Sequence, residues 1–370
     1  MTAVRGQTLI ALADRLIGDR ADEWDRRMLI PQEVIRGLAG AGALCPDVPD
    51  GFGGPGLSML DTGELTAHVG SLCSSVRSLM TSHGMAAWTV RRFGTPVQQH
   101  EHLRRFTSGT LAAVAVSEPE AGSDLAAVTT RVESDGADLV LSGRKVWVTA
   151  AAYADDVLVF GRYGAAGAAV LVPMDSAGLT VRVVPDPLGC RAAGHADLEF
   201  DRVRVPRDRL LGSAGVPLEW LVTAALTYGR LSVAWGCVGI LRACLRAAAR
   251  HAVKRRQFGA ALAEHQLVGA HLAELLVAER AATHTCRHAG HCWDEAIPEL
   301  ATAAVIAKHL AATGAARGAA AAVQVLASAG AHDGHPVARA YRDAKLMEII
   351  EGSSEISQLL LARHVIDTWS

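Results

Sequence analysis

The seven cysteines form no CxxC pair and their number is odd. That suits reduced thiols inside a cytosolic enzyme better than a disulfide framework. An excess of one charge is also missing. The formal net charge of -2 comes from 36 basic and 38 acidic residues spread along the chain, so no basic stripe is available to hold nucleic acid or anionic lipid. Long hydrophobic runs are scarce. The N-terminal stretch "MTAVRGQTLIALADRLIGDR" is broken by Asp14, so neither a signal peptide nor a membrane anchor is expected. The uncharged stretch 318–332 is rich in Ala and Gly and reads as too weakly apolar to span a bilayer. These absences predict a soluble cytoplasmic protein with no nucleic-acid or membrane partner.

The chain does have bulk. With 370 residues, 50% hydrophobic and 20% charged, it can bury a large core and should divide into two or three domains. Residues 1–110 read as helices, with apolar residues at spacings of three and four, as in Leu9, Leu12, Leu16 and Ile17. Residues 111–212 change to short alternating or β-branched runs such as "LVLSGRKVWVTA", "DVLVFGRY" and "ADLEFDRVRVP", separated by Gly, Asp and Pro turns. From 213 to 370 the chain returns to long Ala- and Leu-rich helical segments, jointed at Pro298 and "GAHDGHP". The expected class is α+β: a helical domain, a middle β domain and a C-terminal helical bundle. No internal repeat is visible.

Two motifs give way to simpler readings. "GFGGPG", Gly51 to Gly56, matches GxGxxG in form, but no strand precedes it and Pro55 sits inside it. Val76 also stands at the offset where a dinucleotide site needs an acid. It is expected to be a turn before a helix. In "HTCRHAGHC", His284, His288, His291 and Cys292 fall within one helical face. No further acidic or sulfur partner is specified, and no metal is expected.

Four other segments carry chemistry: "AVSEPEAGSD", "LSGRKVWVTAAAYADDVLVFGR", "KRRQFGAALAEHQLV" and "QVLASAGAHDGHPVARAYRDAKLMEIIEGSSEIS". Their order and spacing resemble the signatures of the acyl-CoA dehydrogenase flavoprotein family, over essentially the whole chain. The resemblance implies that family's fold, in which the C-terminal domain is a four-helix bundle. It also implies bound FAD, an acyl thioester on coenzyme A or a carrier protein, a homotetramer or dimer, and an electron-transfer flavoprotein as acceptor.

Under that resemblance Val116, Ser117, Gly122 and Ser123 offer backbone N–H groups and hydroxyls to the flavin and nearby thioester. Trp147, Val148 and Thr149 lie beside the isoalloxazine; "KVWVT" alternates as a strand, which puts Trp147 and Thr149 on one face. Arg255 reaches the FAD pyrophosphate of a neighbouring subunit, with Phe258 and Gln266 lining the same site. Gln324 heads a flavin-contacting turn in which Ala327 and Ser328 replace the usual glycine pair. Ser353 and Glu355 stand at the family's Thr and Gln positions.

Glu351 is the candidate catalytic residue. It precedes Gly352 and two serines suited to cap a last helix, whose apolar residues Ile356, Leu359 and Leu360 recur at helical spacing. A carboxylate desolvated by substrate has the raised proton affinity of a general base. The resemblance assigns it the acyl α-proton, while the β-hydride passes to flavin N5. The family's other location for this base is Gly229 here, just before Arg230.

Arg77, in "SSVRSLMTSHG", is the main clue to substrate. Its helix has an apolar side, Val69, Leu72, Val76, Leu79 and Met80, and a stripe of small residues, Gly70, Ser74, Ser78 and Thr81. In the family this helix floors the acyl pocket, where an arginine is costly unless a substrate anion or hydroxyl meets it. Glutaryl-CoA dehydrogenases look similar here, and "AWGCVG", Ala234 to Gly239, also resembles their pattern. Arg77, Ser78, Thr81, Ser123 and Arg230 are thus the expected substrate contacts. The reading favoured is oxidation of a short polar acyl group on a carrier protein, toward hydroxymalonyl or methoxymalonyl polyketide extender units. The alternatives are a degradative glutaryl- or short-chain acyl-CoA dehydrogenase, and a flavin oxidase or oxygenase of the same fold. Retention of Glu351 argues against the last.

Overall fold

The computed structural model describes residues 2–212 and 215–370. The expected boundary between 212 and 213 falls beside Ser213 and Ala214, outside the described residues.

Before the first strand the chain forms α1 (Thr2–Leu16), α2 (Ala21–Arg27), α3 (Gln32–Gly40), α4 (Met59–Leu72), α5 (Ser74–Phe93) and α6 (Pro96–Thr107). "GFGGPG" is a short turn ahead of α4, and Ser58 caps that helix by accepting from Asp61 N. The single helix expected across residues 69–81 is broken at Cys73, which is extended at φ −155° and ψ 109°. After the break α4 packs on α7 and α8, while α5 packs on both α7 and β1.

A sheet follows, built from β1 (Ala112–Ala115), β2 (Arg131–Asp135), β3 (Asp138–Val148), β4 (Asp156–Tyr163), β5 (Ala166–Pro173), β6 (Leu179–Val183), β7 (Ala196–Pro206) and β8 (Leu210–Leu211). Their order is β6-β7-β3-β2-β4-β5-β8, with β1 parallel to β4. β4 and β5 are buried along most of their length, which is why they read as near-continuous apolar runs rather than alternating ones.

The chain ends with α7 (Leu218–Lys254), α8 (Gln266–Asp294), α9 (Leu300–Leu326), α10 (Pro336–Met347) and α11 (Ser354–Trp369). α7, α8 and α9 pack on one another, α10 on α7 and α9, and α11 on α9. Contrary to the reading of 318–332, the stretch Leu300–Gly330 is long and apolar enough to cross a membrane, as is Leu218–Lys254. Both are core helices of the bundle here, and interior helices pass that test because they are apolar on several sides. On α8, Cys292 is buried while His284, His288 and His291 are exposed, and Cys292 Sγ lies 3.7 Å from His288 Nε2. No group of three or more metal-donor side chains occurs among the described residues.

Candidate active site

A cavity of about 1120 Å³ opens where α5, the sheet and the bundle meet. α5 contributes Arg77, Ser78 and Thr81, and the end of β1 with the loop after it contributes Val116, Ser117, Gly122 and Ser123. Trp147, Val148 and Thr149 come from the end of β3, Arg230 from α7, and Glu351 and Ser353 from the turn between α10 and α11. Residues far apart in sequence thus share one chamber.

The loop bearing Ser117 and Ser123 is held from behind. Glu118 accepts from Thr129 N at 2.7 Å and Thr130 N at 2.9 Å, and pairs with Lys145 at 2.9 Å; Lys145 also donates to the Val116 carbonyl at 2.7 Å. Burial would raise the Glu118 pKa, but the hydrogen bonds from Thr130 and Thr129 and the Lys145 charge outweigh it and hold it at about 2. The same burial lowers the pKa of Lys145. The pair therefore costs the ammonium and benefits the carboxylate, whose four donors, Thr129 N and Oγ1, Thr130 N and Lys145 Nζ, make it the better-satisfied partner.

Simple alternation fails at Trp147. The β3–β7 register shifts between Lys145 and Val148, and Trp147 is left-handed at φ 56°. This bulge re-aims the side chain, and Thr149 lies beyond the strand, so its direction is set by the bulge and not by the pleat. Both line the cavity even so. Ser82 Oγ on α5 donates to the Thr149 carbonyl at 3.1 Å and accepts from Val114 N at 3.0 Å, tying these pieces together. The Trp147 indole is 53% exposed, a flat apolar surface beside the hydroxyls of Ser117, Ser123 and Thr149. Cavity size, indole and hydroxyl donors fit a flavin ring.

Glu351 sits at φ 54°, with Gly352 following at φ 92°. Arg230 Nε donates to the Glu351 carbonyl at 3.3 Å, and Ser353 caps α11 by accepting from Ile356 N. The residue is half-buried, and its Oε2 is enclosed without a hydrogen-bond partner. Burial pushes its carboxyl pKa up, against the charges of Arg230, Lys308 and Arg77. A buried carboxyl of raised proton affinity that lines a cavity is a group able to accept a proton there.

Arg77 is fully buried, unlike the exposed arginine of an amphipathic helix. Nη1 donates to Thr81 Oγ1 at 3.2 Å, Nη2 lies 2.8 Å from Met347 Sδ, and Nε has no partner. Thr81 Oγ1 is 2.7 Å from Ser232 Oγ, and Ser78 Oγ is 3.6 Å from Cys190 Sγ. Among the described residues no carboxylate lies within 4.0 Å of the guanidinium. Gly236 makes this seat possible: a β-carbon there would stand 2.6 Å from Arg77 Cδ.

Five of the expected cofactor contacts do not line the cavity of their own chain. Arg255, Phe258 and Gln266 are exposed around the junction of α7 and α8, Phe258 at 97%. Gln324 is exposed on α9, and Glu355 is exposed on the outer side of α11. Leu359 faces outward, while the partly exposed Leu360 lines the cavity with Ile356.

Sequence reading missed His195, Met347 and Lys308. His195 Nδ1 is 3.3 Å from Thr149 Oγ1, and its Nε2 is enclosed without a partner. Burial and then the Arg77 charge lower its pKa to about 4, so the imidazole is neutral at physiological pH. Lys308 could have been noticed by the signal that marked Arg77, a lone cation in a run of small apolar residues.

Models of the N-terminal, middle and C-terminal domains of acyl-CoA dehydrogenases match residues 6–110, 113–203 and 220–366. The human mitochondrial short-chain specific acyl-CoA dehydrogenase is 32% identical over 98% of this chain and 89% of its own length. The glutaryl-CoA dehydrogenase of Desulfococcus multivorans is 31% identical over 92% and 90%. A solved structure described as FkbI, for biosynthesis of the methoxymalonyl extender unit of the polyketide FK520, is 55% identical. It covers 97% of this chain and 99% of its own, with a TM-score of 0.93.

Proposed function

The chain belongs to the acyl-CoA dehydrogenase family, and we propose that it oxidises a short polar acyl group, held as a thioester on a carrier protein, in the supply of hydroxymalonyl or methoxymalonyl polyketide extender units. As a member it is an FAD-dependent oxidoreductase acting on acyl thioesters.

The observation that carries the substrate reading is Arg77, a cation fully buried at the cavity with no carboxylate partner among the described residues. A desolvated, unpaired guanidinium is stable only at a cost, which a substrate oxygen or carboxylate offsets when it binds. The likeness to FkbI supports the extender-unit role.

In the reaction Glu351 takes the proton from the carbon beside the thioester carbonyl, and Arg230 keeps the Glu351 backbone in place through its carbonyl. Bound FAD supplies the two-electron acceptor. Val116, Ser117, Gly122, Ser123, Trp147, Val148 and Thr149 hold its ring, while Arg77, Ser78, Thr81, Ser123 and Arg230 orient the acyl group. Arg255, Phe258 and Gln266 serve the site of a second copy, in a tetramer or dimer. The exposed Phe258, Leu267 and Trp369 support such an assembly. Seven free, buried cysteines suit a cytoplasmic setting, and an electron-transfer flavoprotein is the acceptor proposed for the second half-reaction.

A degradative reading with glutaryl-CoA competes, because an unpaired arginine also suits a distal carboxylate. The test is an anaerobic visible titration with a glyceryl carrier-protein thioester, glutaryl-CoA and butyryl-CoA. Bleaching by the carrier-bound ester alone supports the proposal; bleaching by a free CoA ester replaces it with the degradative reading.

A further inference from the structure

Lys308 stands on α9 with no exposed surface. Its Nζ donates to the Gly352 carbonyl at 2.6 Å. Among the described residues no carboxylate lies within 4.0 Å of that ammonium. Burying a cation against one carbonyl is costly, so the contact calls for a compensating role.

That carbonyl belongs to the turn bearing Glu351. Glu351 is a non-glycine residue in left-handed backbone, and such a residue persists only where its surroundings over-determine it. Three ties do so. Arg230 holds the Glu351 carbonyl at 3.3 Å, Lys308 holds the next carbonyl at 2.6 Å, and Ser354 N donates to the Glu348 carbonyl at 2.9 Å. Of these, Lys308 is the one that reaches the turn from α9.

We propose that Lys308 is a positioning residue for the base: it draws the Gly352 carbonyl into the bundle and so aims the Glu351 carboxyl at the cavity. The proposal rests on the reading of Glu351 as the base. The charged and titratable groups around the pair are Arg77 from α5, Arg230 and Cys237 from α7, Lys308 from α9, Glu348 from the turn itself and Glu355 from α11. Burial raises the Glu351 pKa and the three cations oppose it. Burial also lowers the pKa of Lys308, to about 8, so most of its charge remains at neutral pH.

The test uses Lys308→Met in the flavin-loaded enzyme, with the glyceryl carrier-protein thioester, or glutaryl-CoA if that is the ester that bleaches the flavin. Flavin reduction is expected to slow by about tenfold or more, while bound flavin and the half-saturating substrate concentration stay within about threefold. The acid limb of the pH profile should move to higher pH, because losing a cation leaves burial less opposed. In Lys308→Ala, added ethylammonium should restore part of the rate. An unaltered rate and acid limb in Lys308→Met would overturn the proposal. So would no rescue in a Lys308→Ala protein that binds flavin, or loss of flavin or fold in both variants, which would make Lys308 an ordinary structural residue. Normal flavin reduction in Glu351→Gln would instead remove the reading beneath it, so the two failures are distinguishable.

Discussion

Oε2 of Glu351 lies 2.5 Å from the point where a β-carbon on Gly229 would stand. Glu351 and the position read as the other possible location of the base, Gly229, therefore face each other, and a side chain at one crowds the other. Met85 Sδ, 2.8 Å from the same point, closes the remaining side.

Gly229→Ala should displace the Glu351 carboxyl while leaving the helix intact, since alanine favours helices. Flavin is expected to stay bound and its reduction to slow by about tenfold or more, the loss that follows when a reacting group is misplaced. Stopped-flow reduction measures this; a wild-type rate would mean that the carboxyl has room to spare.

The base acts when ionised, and burial raises its pKa above the usual glutamate value of 4.5. Flavin reduction should therefore climb with pH through a midpoint above that value. For stability the sign is opposite. The raised affinity favours the folded state while Glu351 is protonated, and that contribution is lost as pH rises through the folded pKa. Glu351→Gln should consequently melt higher than the parent at neutral pH, yet show no reduction by substrate. Normal turnover in that variant would end the mechanism.

Arg77→Met should separate stability from function. Replacing an unpaired buried cation by an apolar chain should raise the melting temperature. Loss of a desolvated charge contact should weaken a polar or acidic acyl substrate by more than about 2 kcal/mol. Kinetics unchanged in the variant would mean that the guanidinium serves the fold alone.

Ala327 sits at φ 51° and ψ −133°, backbone that suits glycine. Ala327→Gly should stabilise the protein by about 1 kcal/mol, the relief of strain exceeding the extra freedom of the unfolded chain. Thermal unfolding checks this. A lower melting temperature would show that the α9 end is not strained.

Much of the site was legible because its parts are local. Glu351, Gly352 and Ser353 form one turn with its own helix cap, and a carboxylate before such a cap is visible in four letters. Arg77 showed as a charge among small residues. By contrast, Trp147 and Thr149 reach the cavity through a bulge that alternation does not foresee, and the break at Cys73 depends on what α4 and α5 each pack against. Phe258 and Gln266 read as cofactor contacts, yet they are exposed on their own chain.

By itself the sequence determined the order of helical, β and helical blocks, because periodicity and turn residues act over a few neighbours. It also showed a candidate base, Glu351, and an isolated arginine, Arg77. Only the tertiary structure decided what each of these meets: Arg77 finds Met347 across 270 positions, and Glu351 finds Gly229 and, through Gly352, Lys308. Burial and field set those groups' chemistry, and both arise from side chains that become neighbours only when the bundle closes on the sheet.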